Sequence, residues 1–418
     1  MQTNTPLVTA DGVPLKVSLN KALRQKRRQA FILTIPLMLF ILILFLIPIA
    51  SMLLRSIENP ELNKYIPNTV MALQSWDETK DELPSEAVFK TMVEEIKRGK
   101  KDSTIGKVGK RLNFELSGMS SLFRTSARKV KKIKGPPYKE QLIKVRKQWG
   151  DLATWRLIKR ESDAYTASYY LAAIDMRFND KGEIAAQDEN RRIYKFLFIR
   201  TILMSIGITL MTILLGYPIA YLLATLSVRH AALLMILVLL PFWTSLLVRT
   251  SAWMVLLGNE GVINDLLAYI GVVNDDNRLS LINNKTGTFI AMTHILLPFM
   301  ILPLYSVMKT IPPSYMRAAR SMGATQLRAY TKVYMPLTIS GIGAGTILVF
   351  ILAIGYYITP ELVGGTSGVF ISNFIAHHFF TSGNWGLAAA LGTILLLFVM
   401  ALYALYDKIV GIDNMKLG

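Results

Sequence analysis

The chain has 418 residues, 52% of them hydrophobic, and a mean hydropathy of +0.37, too apolar for an ordinary water-soluble protein. It has no cysteine, which excludes disulfides, Cys-ligated zinc and thiol catalysis. The formal net charge of +19 raises the question of nucleic acid. The basic residues form no single stripe, however. They flank apolar runs or mix with acids in one polar insert, which argues against a nucleic-acid partner.

Residues 1–30 are polar and end in the cluster Lys21, Arg24, Lys26, Arg27 and Arg28. The apolar run 31–54 follows. It is too long for the core of a signal peptide and lacks a small-residue cleavage site. It is long enough to cross ~30 Å of hydrocarbon. The preceding cluster predicts a cytoplasmic N-terminal tail.

Residues 55–195 differ in kind. Twenty of the 28 acids lie here among many lysines and arginines, and no stretch is long and apolar enough to span a bilayer. The spacing predicts an amphipathic helix over 85–98, with Val88, Phe89, Met92, Val93 and Ile96 on one face. It predicts another over 139–160, with Leu142, Val145, Trp149, Leu152 and Trp155 towards one side. Asn179-Asp180-Lys181-Gly182 reads as a tight turn. Gly106-Lys107 is not a phosphate loop, because Val108 stands where Ser or Thr is required. The whole reads as a mainly helical soluble insert outside the cytoplasm. Long domains translocate largely regardless of charge.

Five further apolar runs follow: 196–226, broken at Gly216-Tyr217-Pro218; 231–248, with Pro241; 288–308, with His294, Pro298 and Pro303; 337–358, rich in glycine at its start; and 387–406. The fold class predicted is an all-α integral membrane protein with six transmembrane helices. The core with five of these helices occupies 196–410, and residues 411–418 form a second cytoplasmic tail. The segment 309–336 holds Lys309, Arg317, Arg320, Arg328 and Lys332 without an acid. The segments 258–287 and 359–386 hold Glu260, Asp265, Asp275, Asp276 and Glu361. Charge asymmetry and parity agree that 309–336 lies in the cytoplasm.

Within that segment Pro312-Pro313 stops the preceding helix, and Ser314 is a suitable N-cap. A helix from Tyr315 would end at Gly323, and Thr325 would cap a second helix closed by Pro336. Ala318-Ala319, three residues, Gly323, nine residues, then Val333-x-Met335-Pro336 resembles the signature loop of ABC importer permeases. That pattern is E-A-A, three residues, G, nine residues, I-x-L-P. Arg317 stands where the family has glutamate and cannot complete a capping box with Ser314. The core resembles the five-helix core of type I ABC importer permeases, with 31–54 as an extra first helix. LPFWTSLLVRTSAWMVLLGNEGVIN (240–264) and GYYITPELVGG (355–365) resemble the spermidine/putrescine branch.

The resemblance implies a coupling loop made by Ser314, Arg317, Ala318, Ala319, Gly323, Ala324 and Pro336. It implies a second permease subunit, two ATP-binding subunits that hold ATP and magnesium, and a periplasmic solute-binding protein, in an inner membrane. No cofactor, metal or catalytic residue is expected in this chain, which lacks a Walker A motif and is not expected to be an enzyme. Candidate pathway residues are Trp243, Trp253, His294, Tyr356, Tyr357 and Glu361. Each has a plainer alternative: interfacial tryptophans, a neutral packing histidine, packing tyrosines and an exposed loop acid. Arg249 reads as a snorkelling anchor. His377-His378 lacks a third metal ligand by spacing. Other solutes (amino acids or opines, Fe(III), sulfate) and a stand-alone secondary transporter are the competing readings. The latter predicts charged residues at mid-membrane and paired broken helices.

Overall fold

The computed structural model describes residues 15–410. The stretches 1–14 and 411–418, within the tails read above, lie outside the described residues. Residues up to Arg55 and residues from Ser56 onward form two compact units. In the first, α1 (Leu15–Ile41) continues through a π-helical turn, Leu42–Leu46, into α2 (Ile47–Arg55). The helix therefore begins before Phe31, and part of the expected tail is helical. Its apolar side chains, among them Phe31, Leu37 and Leu44, are exposed, which suits a lipid solvent and not water.

In the second unit the insert opens with α3 (Glu61–Tyr65), α4 (Pro67–Gln74), α5 (Glu86–Lys101), α6 (Ile105–Glu115) and α7 (Met119–Lys129). It continues with α8 (Tyr138–Val145), α9 (Leu152–Arg160) and α10 (Ser168–Ala173). All five apolar residues predicted on one face of α5 are buried. The single helix expected over 139–160 is instead two, α8 and α9, joined by a 3₁₀ turn at Lys147–Gly150. The break turns both tryptophans into one core. Trp149 and Trp155 are fully buried, 5.4 Å apart, packing on Phe123 and Phe89 respectively. Their indole N–H groups donate to Ser126 Oγ and to the Trp149 carbonyl. A hairpin, β1 (Met176–Phe178) against β2 (Ile184–Ala186), closes the insert over the predicted 179–182 turn. Asn179 Oδ1 there accepts the N–H of Lys181 and of Glu183.

A buried polar network ties the insert's ends together. The Arg111 guanidinium donates to Glu161 Oε2 at 2.5 Å, Glu115 Oε1 at 2.9 Å and Asn59 Oδ1 at 2.8 Å, and lies 4.6 Å over the Tyr169 ring. Burial, with the Glu161 charge beside it, raises the Glu115 carboxyl above its usual value against the pull of Arg111. Tyr169 in turn seats the insert on the membrane core. It shares an apolar cluster with Leu197, Ile371, Leu387 and Leu391. A Cβ on Gly386 would fall 2.4 Å from its ring, so the close approach requires glycine there.

The core comprises α11 (Tyr194–Thr225), α12 (Val228–Leu239), α13 (Leu246–Leu256), α14 (Val262–Tyr269), α15 (Lys285–Thr310), α16 (Pro313–Ser321), α17 (Gln326–Ala329) and α18 (Met335–Leu337). It ends with α19 (Ile339–Gly355), α20 (Ile358–Val363), α21 (Gly365–Gly368), α22 (Ile371–His377) and α23 (Trp385–Val410). The helix α11 runs unbroken through Gly216-Tyr217-Pro218, against expectation. Gly216 packs on Met300 and Ile301 of α15, which holds the segment straight. The run 231–248 is the one that breaks: α12 and α13 meet at 99° across the 3₁₀ turn Leu240–Trp243, where Pro241 cannot continue the ladder. Four described helices are long and apolar enough to cross a membrane, and six spans result if each bent pair is one. Helices α11, α15 and α19 share a core that includes Ile208, Met292, Leu296, Leu304 and Val349.

Arg111→Met leaves buried Glu161 with only Arg160, 3.4 Å away, as a counter-charge and should cost the insert about 3 kcal/mol. Thermal melting of the full chain in detergent should show an earlier insert transition with membrane helicity retained. An unchanged melt would contradict the network's role.

Candidate functional site

The 312–336 segment forms two short helices with the turn chemistry its residues dictate. The first, α16, ends in a Schellman arrangement: Gly323 N–H donates to the Arg320 carbonyl at 3.0 Å, and Ala324 N–H to that of Ala319 at 3.1 Å. Gly323 has φ +89°, a left-handed conformation in which a side chain is strained, and open space lies around it. Thr325 caps α17 by accepting the Arg328 N–H. Ser314, in contrast, is not the N-cap. Pro312 holds that position and Pro313 is the first helical residue, because proline's fixed φ suits N1 and its missing N–H costs nothing there. Arg317 therefore lies two residues beyond N3, and no capping box is lost at it.

The expected stop at Pro336 is also displaced. The helix passes through Pro336 to Leu337 and bends by 57° into α19 at Thr338. One turn earlier it widens to a π-helix, Tyr330–Tyr334, with Met335 N–H bonded to the Tyr330 carbonyl. Proline cannot donate to the carbonyl four residues back, and the wider turn redistributes those bonds. Ala318, Arg317 and Gly323 are exposed, whereas Ala319 is buried. Arg317, Arg320, Gly323, Ala324 and Thr325 line a shallow hollow. Among the described residues neither arginine has a carboxylate within 4 Å.

Four tyrosines fasten this loop to α11. Tyr330 and Tyr334 stack at 5.7 Å, and Tyr221 meets both edge-on at 5.3 and 5.4 Å. Tyr217 meets Tyr330 edge-on, and its hydroxyl lies 3.0 Å from Thr338 Oγ1 at the bend. The sequence reading missed this cluster. Its signal was the pair of tyrosines four apart on each element.

On the other candidate list, Trp253 and His294 come together: the indole N–H donates to His294 Nδ1 at 3.1 Å. Glu361 is exposed and accepts from Asn373 Nδ2 at 2.6 Å, and the same amide donates to the Tyr357 carbonyl at 2.8 Å. The Tyr356 carbonyl accepts from Ser372. Thr250 and Thr359 hydroxyls, 3.1 Å apart, link α13 to α20. Trp243 stands alone on the exposed 3₁₀ turn, 73% accessible, and joins neither group. Asn373, which binds Glu361 and Tyr357 together, carried no sequence signal. The His377-His378 hint comes to nothing. His378 uses both ring nitrogens, on Tyr194 and Ser382, and no group of three or more potential metal ligands occurs among the described residues.

Replacing Tyr334 with leucine removes two ring pairs. Amide exchange over 326–337 should then rise about tenfold, corresponding to ~1.4 kcal/mol. Unchanged exchange would show that the tyrosines do not hold the loop.

The family model described as the binding-protein-dependent transport system inner membrane component matches residues 182–410. The spermidine/putrescine transport system permease protein PotB of Haemophilus influenzae is 34% identical over 206 residues, 49% of this chain and 71% of that protein. PotB of Escherichia coli K12 is 34% identical over 213 residues, 51% and 76% of the two chains. The inner membrane ABC transporter permease protein YdcU of Escherichia coli K12 is 34% identical over 227 residues, 51% and 71%. A solved bacterial alginate ABC transporter chain aligns over 56% of this chain and 82% of its own, with a TM-score of 0.45 and 16% identity. The family model begins within the hairpin and covers every core helix, so most of the 55–195 insert lies outside it. Matched over more than half its length, this chain belongs to the family of inner membrane components of binding-protein-dependent transport systems, as a multi-pass transport subunit and not an enzyme.

Proposed function

We propose that the chain is the permease subunit of an ATP-driven importer and forms part of the translocation pathway for a polyamine of the spermidine/putrescine class. The observation that carries the solute class is the likeness to PotB permeases over about three quarters of their length. The loop geometry supports the coupling role. A small, exposed surface at Ala318 and Gly323 lets a partner backbone approach closely, and the basic hollow beside it suits an acidic group on that partner. In this reading Arg317 faces the partner, free of any capping duty.

The partners in this reading are a second permease subunit, two ATP-binding subunits that hold ATP and magnesium, and a periplasmic binding protein. The loop and both termini face the cytoplasm, and the insert faces outward. Closure of the ATPase pair displaces the loop as a rigid piece. The tyrosine cluster carries that displacement to α11, and the bend at Thr338 carries it to α19. No bond chemistry occurs in this chain. At the outer end, Glu361 offers a carboxylate for an ammonium, and Tyr356 and Tyr357 offer aromatic faces worth ~0.5–2 kcal/mol each. Trp253 and His294 form a neutral, hydrogen-bonded part of the same wall.

Two experiments test this. Gly323→Asp should leave the protein inserted but abolish solute-stimulated ATP hydrolysis in the assembled complex, and normal stimulation would refute the docking assignment. Glu361→Gln keeps an acceptor for Asn373 and removes the charge. The apparent affinity for spermidine should fall about tenfold, the loss of one charge-assisted contact. An unchanged affinity would take Glu361 out of the pathway.

A further inference from the structure

Arg249 has no counter-charge among the described residues. It lies in the opening turn of α13, where the helix dipole already opposes a cation. Its Nε is buried and without a hydrogen-bond partner. Among the described residues no carboxylate comes within 4 Å of it. Glu361, the acid among the candidate pathway residues, accepts a hydrogen bond from Asn373. Arg249 is close enough to act electrostatically on His294 and Tyr356, neither of which supplies a negative charge.

An arginine within a membrane segment is costly unless it is paired or hydrated, so a carboxylate from outside the described residues would relieve that cost. The helix that carries it points the same way. Leu247, Val248 and Val255 of α13 are 59%, 61% and 69% exposed, an apolar face uncovered by this chain. A half-buried guanidinium beside such a face is not extended into lipid as a snorkelling anchor would be. A polycationic solute cannot be the counter-ion, because it carries the same sign.

We propose that Arg249 pairs, in the assembled importer, with a carboxylate of the second permease subunit, across an interface formed by the Leu247, Val248 and Val255 face of α13. This rests on the reading of a two-permease importer of a cationic solute. The pair fixes the two subunits in register beside the pathway wall of Trp253 and His294.

The test uses the complete complex in proteoliposomes. Arg249→Lys keeps the charge and supplies an amine. A membrane-permeant carbodiimide condenses that amine with an adjacent carboxylate to an amide, taking up the water as a urea. Mass spectrometry should find the introduced lysine joined to an Asp or Glu of the second subunit. Arg249→Gln should lower spermidine uptake at least tenfold with KM unchanged. Arg249→Glu should regain uptake when the identified partner acid is changed to lysine. The absence of any cross-link to the second subunit overturns the proposal and leaves lipid phosphate or water as the counter-charge. So does normal uptake by Arg249→Gln. A large rise in KM for Arg249→Gln without a cross-link would assign the counter-ion to the solute and overturn the polycation reading as well. Failure of the wild-type complex to move spermidine would sink that reading alone, since the cross-link is read without solute.

Discussion

In hydrocarbon, apolar side chains gain nothing by hiding from their surroundings, so α11, α15 and α19 are held by close packing instead. Small residues make that packing possible. A Cβ on Gly345 would fall 2.6 Å from Met300 Sδ, and one on Gly207 would meet the Phe289 ring at 2.9 Å. Three threonine hydroxyls in the same helices are satisfied locally. Thr201, Thr209 and Thr293 donate to carbonyls four residues earlier. The helices of this core hold Pro218, Pro298 and Pro303 without breaking, because neighbouring helices pack against them.

The parts assigned to coupling and to the pathway in the proposed function hang from this core at its two ends. At one end the tyrosine cluster and the Thr338 bend attach the coupling loop to α11 and α19. At the other, short helices pack back onto α15: Thr288 Oγ1 donates to the Gly368 carbonyl, and Asn283 N–H to that of Val363. Both ends are built from short elements at sharp bends, while the core between them is long and straight. In the proposed coupling, a displacement at the loop would be passed on through these helices rather than absorbed by a flexible turn.

The insert is stabilised differently. It has a water-type core, closed by two tryptophans and by an arginine that satisfies two carboxylates and an asparagine. Its seat on α23 at Tyr169 and Gly386 runs directly below that arginine, so the insert's charged network and its attachment share one residue. Most of the insert lies outside the residues the family model matches.

The sequence by itself determined which stretches are long and apolar enough to meet lipid, that the insert is mainly helical, and where the loop turns. Each follows from composition, period or a local demand, such as the left-handed turn at Gly323. It misjudged the loop's start, because two prolines outrank a serine as helix openers, and its end, because a proline near a helix terminus need not stop it. It also misjudged which span bends: α11 runs straight through Pro218, where Gly216 packs on α15, and the bend falls instead after the 3₁₀ turn that holds Pro241. The tyrosine cluster, the Asn373 tie between Glu361 and Tyr357, and the unpaired state of Arg249 were decided by tertiary structure alone. Each depends on residues far apart in the chain, and no local propensity brings such residues within bonding distance.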